Sequence, residues 1–377
     1  MKIAFIGQKG IPVSQGGVER HVEELARNLA LRGHRVLVYA RSTYPRGKAI
    51  LPQRVHIIEL PSVPVKVWDT VIHTLLSSID VLFRRVDVIH YHSIGPAFLM
   101  FIPYIFKSNA KLVFTHHTYE MKRPQWGWLS RFILGWGERI GMRLADEVIA
   151  INPAVAMDLE ARYGRRVSTV PSGVTKFAEN FSSPIDLPGR YIVAVSRLIR
   201  SKGLDHLINA FNLISDDYPD YHLLIVGSPT KNDNDHPRLL KLKGDNPRIH
   251  FLGWQPSDRL NYIYRNASVF VQPSEIEGLP ITLLEAALSG LPIVSSDILE
   301  HKVILRSSGV FFRNSSFIEL AAKLRIVLND LPAHRNVAKS LSERIKREFD
   351  WDEITSRIIK IYRYPPYPHV FSKRQSV

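Results

Sequence analysis

The 377-residue chain contains no cysteine, which excludes a disulfide framework, a thiolate zinc site, an iron–sulfur cluster and a cysteine nucleophile. Long hydrophobic runs are also missing. The longest nearly uncharged apolar stretch, Ser93 to Phe106, spans about fourteen residues and holds two prolines, whereas a membrane-spanning helix needs about twenty. The opening MKIAFIGQKGIP offers too short an apolar run for a signal-peptide core and reads as a buried first strand. A cytoplasmic protein is expected, soluble or peripheral on the inner face of the cell membrane. Acidic residues are scarce beside basic ones, 35 against 50, for a net charge of +15. With 45% apolar and 23% charged residues, disordered and fibrous architectures are excluded, and the length suits about two domains.

The basic excess is uneven. Residues 1–176 hold 24 Lys/Arg and 13 Asp/Glu, and the remainder holds 26 and 22. Such a field draws anions, whether nucleic acid, anionic lipid or phosphorylated substrates, and charge alone does not choose among them. One segment is more specific. Between Lys107 and Arg143, seven cations (Lys107, Lys111, Lys122, Arg123, Arg131, Arg139, Arg143) interleave with Trp126, Trp128, Phe132, Ile133, Leu134 and Trp136. That composition suits a segment lying at a bilayer interface. No recognisable nucleic-acid module occurs, so specific nucleic-acid binding is not expected.

Short β-branched runs alternate with stretches of helical period, the signature of βαβ units around parallel sheets. Strands are predicted at Lys2–Gly7, Arg35–Ala40, Val55–Leu60, Val86–Tyr91, Lys111–Thr115, Glu147–Ile151 and Ser168–Val170. A helix over Val18–Leu31 carries Val22, Leu25 and Leu29 on one face and ends at Gly33. A Ser-, Pro- and Gly-rich stretch from Pro171 to Gly189 reads as a linker. Beyond it, a second series of strands follows at Tyr191–Ser196, His222–Val226, Ile249–Leu252, Val269–Gln272 and Ile293–Ser295. Helices are predicted at Gly203–Ile214, Ser257–Arg265, Pro280–Leu288, Ser316–Leu328 and Asp352–Tyr362. The fold class is therefore α/β, with two doubly wound Rossmann-like domains facing a cleft. Residues 1–172 form the first domain, 173–351 the second, and 352–377 a closing helix and tail.

Four stretches could carry chemistry. The segment from Gln272 to Ser296 runs from a strand end through a glycine turn into a helix, with Glu277 and Glu285 eight residues apart. Gly278 permits close backbone approach and Pro280 suits a first helical turn. The amides of Gly278, Leu279 and Ile281 would then offer an anion site at the positive end of the helix dipole. Glu285, about one turn in, could accept hydrogen bonds from the vicinal hydroxyls of a ribose. Plain helix capping by Glu277 is the competing reading. Upstream, Arg197 lies just past a strand end and Lys202-Gly203 opens the next helix, so the two cations could converge on a diphosphate, while Arg200 reads as solvated. Gly16-Gly17 follows the first strand, but the loop is neither G-x-G-x-x-G nor a P-loop. Finally, a strand ends in His116-His117, where alternation sends the two rings to opposite faces. A neighbouring pair is poor geometry for one ion and no H-E-x-x-H accompanies it, so no metal site is expected.

Together, and in this order, the Gly-Gly-Val-Glu-Arg loop, the histidine-ended strand before an aromatic basic helix, Ser-Arg-Leu with Lys-Gly, the Glu-x7-Glu element and a closing Trp-Asp-Glu-Ile helix resemble the retaining family 4 glycosyltransferases of GT-B fold, above all those of bacterial surface-polysaccharide assembly. The resemblance covers nearly the whole chain. It implies transfer of a sugar from a nucleotide diphosphate-sugar to an acceptor hydroxyl, a saccharide or a lipid-linked one, without metal or bound cofactor. By position, Arg197 and Lys202 should hold the donor diphosphate and Glu285 the ribose. Glu277 should meet the transferred sugar above the Gly278-Leu279-Pro280 backbone, and Gly17 should adjoin the phosphates. His117, counted back from Trp126, should stand near the sugar. Base contacts are expected near Leu252-Gly253-Trp254. The usual Asn of the family's Pro-Asn-Gly-Val turn is Ser172 here, and the last helix should return to the first domain. A nucleotide-sugar epimerase of the same fold and a basic nucleic-acid binder are the alternatives.

Overall fold

Strand β1 (Lys2–Ile6) shows why these runs form buried parallel sheets. Its alternate residues enter two separate cores, Ile3 and Phe5 on one face of the sheet and Ala4 and Ile6 on the other. A strand buried on both faces must be apolar throughout, and parallel pairing then requires a crossover on one face or the other. The computed structural model describes residues 1–13, 16–45, 50–63, 66–107, 109–117, 127–174, 186–230 and 234–363. It divides into two units: one takes Met1–Gly173 together with the segment that begins at Trp351, and the other takes Val174–Asp350.

In the first unit, β1, β2 (Arg35–Arg41), β3 (Val55–Leu60), β4 (Val88–His92), β5 (Lys111–His116), β6 (Glu147–Ala150) and β7 (Ser168–Thr169) make a seven-stranded sheet in the order β3-β2-β1-β4-β5-β6-β7. All the pairings are parallel. In the second unit, β8 (Arg190–Val195), β9 (Tyr221–Val226), β10 (Ile249–Gly253), β11 (Val269–Gln272), β12 (Ile293–Ser296) and β13 (Val310–Phe312) make a parallel six-stranded sheet in the order β10-β9-β8-β11-β12-β13. Strand order reverses between β1 and β4 in one unit and between β8 and β11 in the other. At such switch points crossovers leave in opposite directions, and a crevice opens outside the carboxyl ends of the strands.

The helix Gly17–Leu31 buries Val22, Leu25, Ala26 and Leu29 against the first sheet, and Gly33, at φ 84°, follows its end. The final helix, Trp351–Arg363, packs beside it and sends Trp351, Ile354, Ile358 and Tyr362 into the same core. The tail from 364 onward, the linker residues 175–185 and the segment 118–126 lie outside the described residues. Several elements went unassigned in the sequence reading. Helix Lys66–Asp80, helix Pro153–Tyr163 and the three-residue edge strand β13 are among them. So is helix Leu331–Glu348, whose Pro332 sits in the first turn, where the Asp330 side chain caps the Ala333 amide at 3.1 Å.

Alternation at the end of β5 separates the two histidines. His116 faces the helix Trp128–Leu144, where its Nε2 lies 3.1 Å from Glu138, a carboxylate that also accepts from Arg162 at 2.6 Å and Tyr163 at 2.8 Å. Burial works against the Glu138 charge, but these donors outweigh it and hold the carboxyl down at about 2. Glu138→Ala strips three donors of their acceptor inside a packed face and is expected to cost roughly 2 kcal/mol or more of unfolding free energy. Urea denaturation would measure this; an unchanged midpoint would refute the network's role.

Candidate functional site

The second unit's switch point is built from two loops held close by sequence. Gly203 adopts φ 61°, and a Cβ there would lie 2.1 Å from the Pro273 carbonyl oxygen, so only glycine lets the loop after β8 approach the loop after β11. The Glu275 amide donates to the Ser201 carbonyl at 3.0 Å and joins the loops again. Lys202 ends a 3-10 turn and is carried onto Glu277, Nζ to Oε1 at 2.5 Å, with only 13% and 9% of the two side chains exposed. Gln272, the last residue of β11, donates to the same Oε1 at 3.0 Å and to Ser274 Oγ at 2.8 Å. Burial opposes the Glu277 charge, yet the Lys202 ammonium and its hydrogen bond win and hold the carboxyl below its ordinary value.

The other predicted residues divide. Arg197 is exposed at the carboxyl end of β8, and Arg200 is also exposed, 3.9 Å from Asp235. Gly278 is buried and Leu279 half-buried. Pro280 is the cap rather than the first helical residue: the helix runs Ile281–Leu288, and Pro280 holds ψ 99°, outside the helical region. Glu285 is buried, not solvated, and accepts from the Tyr264 hydroxyl at 3.3 Å. Trp254, beside the expected base position, is 59% exposed.

Residues that the sequence reading passed over surround Glu277. Gln272 and Ser274 are two of them. Ser296, at the end of β12, donates to the Ser274 carbonyl at 2.6 Å and lies 3.1 Å from His301 Nδ1. His301 is fully buried, its Nε2 finds no hydrogen-bond partner among the described residues, and burial lowers its pKa to about 4 although Glu277 pulls it upward. Their signal was positional: each polar residue ends or follows an otherwise apolar strand.

In the first unit, Gly17 opens its helix and it is the preceding Gly16 that takes the positive φ, 111°. His117 is buried beyond β5, with Nε2 3.1 Å from His92 Nδ1. His21 Nδ1 lies 3.1 Å from Ser172 Oγ, and His90 bonds Tyr362 at 2.7 Å and Thr115 at 2.6 Å. A hollow of about 740 Å³ lined by Lys2, Arg35, Arg54 and Arg85 lies at the opposite, amino ends of these strands. It is away from the switch point and is not the candidate site.

Known proteins share this arrangement. The family model for glycosyltransferase family 4 matches residues 15–176, and the model for glycosyl transferases group 1 matches residues 175–348. A phosphatidyl-myo-inositol mannosyltransferase of Mycobacterium leprae is 27% identical over 92% of each chain. The sucrose-phosphate synthase structure from Thermosynechococcus elongatus superposes with a TM-score of 0.79 at 22% identity, covering 96% of this chain and 98% of that one. Anabaena HepE, solved in complex with UDP and glucose, gives 0.77 at 20% identity over 96% and 99%. The chain therefore belongs to the glycosyltransferases of GT-B fold, its first unit of family 4 type and its second of group 1 type.

Because Glu277 titrates lower when folded than when unfolded, its contribution to stability is complete above the ordinary carboxyl range and is lost as pH falls through the lower folded value. Melting temperature should therefore decline with acid below about pH 4.5, and Glu277→Gln should flatten part of that decline. An identical pH profile for both proteins would contradict the pairing.

Proposed function

We propose that the protein transfers a sugar, with retention of configuration, from a nucleotide diphosphate-sugar to the hydroxyl of a lipid-linked acceptor in cell-surface polysaccharide synthesis, with no metal at the diphosphate. The observation that carries this reading is the Lys202–Glu277 pair at the second switch point, with Arg197 beside it on the same βα loop. The complex of HepE with UDP and glucose supports a nucleotide sugar as the donor class.

The chemistry follows from where charge develops. As the bond between the anomeric carbon and the phosphate oxygen breaks, the diphosphate gains negative charge and the carbon positive charge. Fixed cations at the leaving oxygens lower that barrier without reorganising. Arg197 offers a planar fork and Lys202 a point charge, and the amino end of helix Ile281–Leu288, reached through Gly278, Leu279 and Pro280, adds backbone donors. Glu277, kept ionised by Lys202, accepts from the hydroxyls of the transferred sugar, and Glu285 accepts from the ribose. The acceptor oxygen attacks the face the diphosphate leaves, and its proton passes to a leaving phosphate oxygen.

Arg197→Ala and Glu277→Ala should each lower kcat about 100-fold or more with the fold intact by circular dichroism. The assay follows free UDP and glycosylated product across a panel of UDP-sugars. Normal turnover by either variant would refute the assignment. A sugar changed while still attached to its nucleotide would make the protein an epimerase.

The acceptor class rests on the helix Trp128–Leu144. Its outer face exposes Trp128, Leu129, Phe132 and Trp136 among the exposed cations Arg131, Arg139 and Arg143. The inner face buries Leu134, Gly137 and Met142. Of the seven cations expected at an interface, Lys107 and Lys111 drop out: the first donates to the Leu82 carbonyl and the second to the Ile361 carbonyl, both inward. Lys122, Arg123 and Trp126 lie outside the described residues. No described helix is long and apolar enough to cross a membrane, and a stripe of aromatic rings flanked by arginines suits the plane of an anionic bilayer. A Trp128→Ser/Phe132→Ser double variant should lose about tenfold or more in affinity for phosphatidylglycerol vesicles and keep its turnover with a soluble acceptor. Equal binding by both proteins would exclude this face.

A further inference from the structure

The first sheet's switch point gathers three imidazoles that come from distant parts of the chain. His21 lies on the helix Gly17–Leu31, His92 ends β4 and His117 follows β5. Each places a side-chain nitrogen within 4.8 Å of those of the other two. All are buried, at 2%, 0% and 3% exposure. Neutral imidazole nitrogens carry the lone pairs with which histidine ligates metal.

The geometry goes further than proximity. His92 Nδ1 and His117 Nε2 face each other at 3.1 Å, close to the edge of about 3.3 Å between two nitrogens on a tetrahedral zinc ion. His21 Nε2 finds no hydrogen-bond partner among the described residues, although buried polar atoms are almost always satisfied. The other nitrogen of His21 faces the Ser172 hydroxyl at 3.1 Å, the outer contact that fixes a ligating ring and its tautomer. His90, stacked on His92 at 4.1 Å, spends both nitrogens on Tyr362 and Thr115 and is no ligand.

We propose that His21, His92 and His117 form a three-histidine site for a divalent transition-metal ion of the zinc class, with Ser172 orienting His21 and a fourth position open. Side-chain shifts of at most about 1.4 Å bring every pair to ligand spacing. The ion ties the amino-terminal helix to the ends of β4 and β5. Spacing had argued against metal because it weighed the neighbours His116 and His117; the ligands instead converge from three separate elements. The site lies within the first unit and does not depend on the donor reading.

The test uses the full chain, stripped with a chelator and titrated with zinc chloride against a chromophoric competitor, with cobalt as a spectroscopic probe. One equivalent should bind with submicromolar Kd, cobalt should show the visible bands of nitrogen coordination, and melting should rise by roughly 5 °C at a hundredfold excess over Kd. His92→Gln should weaken binding about 100-fold, and Ser172→Ala, which keeps every ligand, about tenfold. His250→Asn, which breaks the half-buried His222–His250 pair of the second unit at 3.0 Å, should leave the affinity unchanged. No binding at micromolar zinc, or binding lost in His250→Asn but retained in His92→Gln, overturns the proposal. If His92→Gln does not fold, the cobalt spectrum and Ser172→Ala decide between coordination and a histidine hydrogen-bond cluster.

Discussion

Parallel strands buried on both faces impose the constraint from which the rest follows. Such a sheet cannot be closed by hairpins, so every connection crosses over a face, and the starting strand must choose a side. Where the choice reverses, between β1 and β4 and between β8 and β11, side chains leaving the strand ends have space and no partner strand. Polar residues concentrate there: His92, His117 and Ser172 in one unit, Gln272, Ser274 and Glu277 in the other, nearly all withdrawn from solvent. The apolar strands supply rigidity, and their ends supply chemistry.

Within the second unit the Lys202–Glu277 pair is held where desolvation works against both charges. It persists because it does not stand alone. Gln272 satisfies a second lone pair of the carboxylate, Gly203 brings the lysine loop within reach, and the Ser201–Glu275 backbone bond fixes the loops. A pair so supported is preorganised, and preorganised charge is what an ionising leaving group can use. Arg197 is the complementary case, an exposed cation at the carboxyl end of β8.

Much of this was legible in the sequence, for reasons that can be traced to particular residues. Ile3 to Ile6, Val36 to Val38 and Val269 to Val271 read as strands because double-sided burial leaves no polar position. Glu277, Lys202 and Arg197 stood out by position, at strand ends that open into helices, where cations and a helix amino end can converge on an anion. What escaped was long-range. Gln272 and His301 owe their importance to being near Glu277, and no local pattern announces that. The grouping of His21 with His92 and His117 depends on strand order, which one-dimensional spacing does not reveal.

The placement of the last helix bears on how the polypeptide is made. Trp351, Ile354, Ile358 and Tyr362 fill the core formed by Val22, Leu25 and Leu29, and the Tyr362 hydroxyl satisfies His90. Domains generally fold in order as they leave the ribosome, yet here the first unit's core is completed by a helix that follows the whole second unit in sequence. Until Trp351–Arg363 has been synthesised, Val22, Leu25 and Leu29 lack the side chains that complete their core in the folded unit.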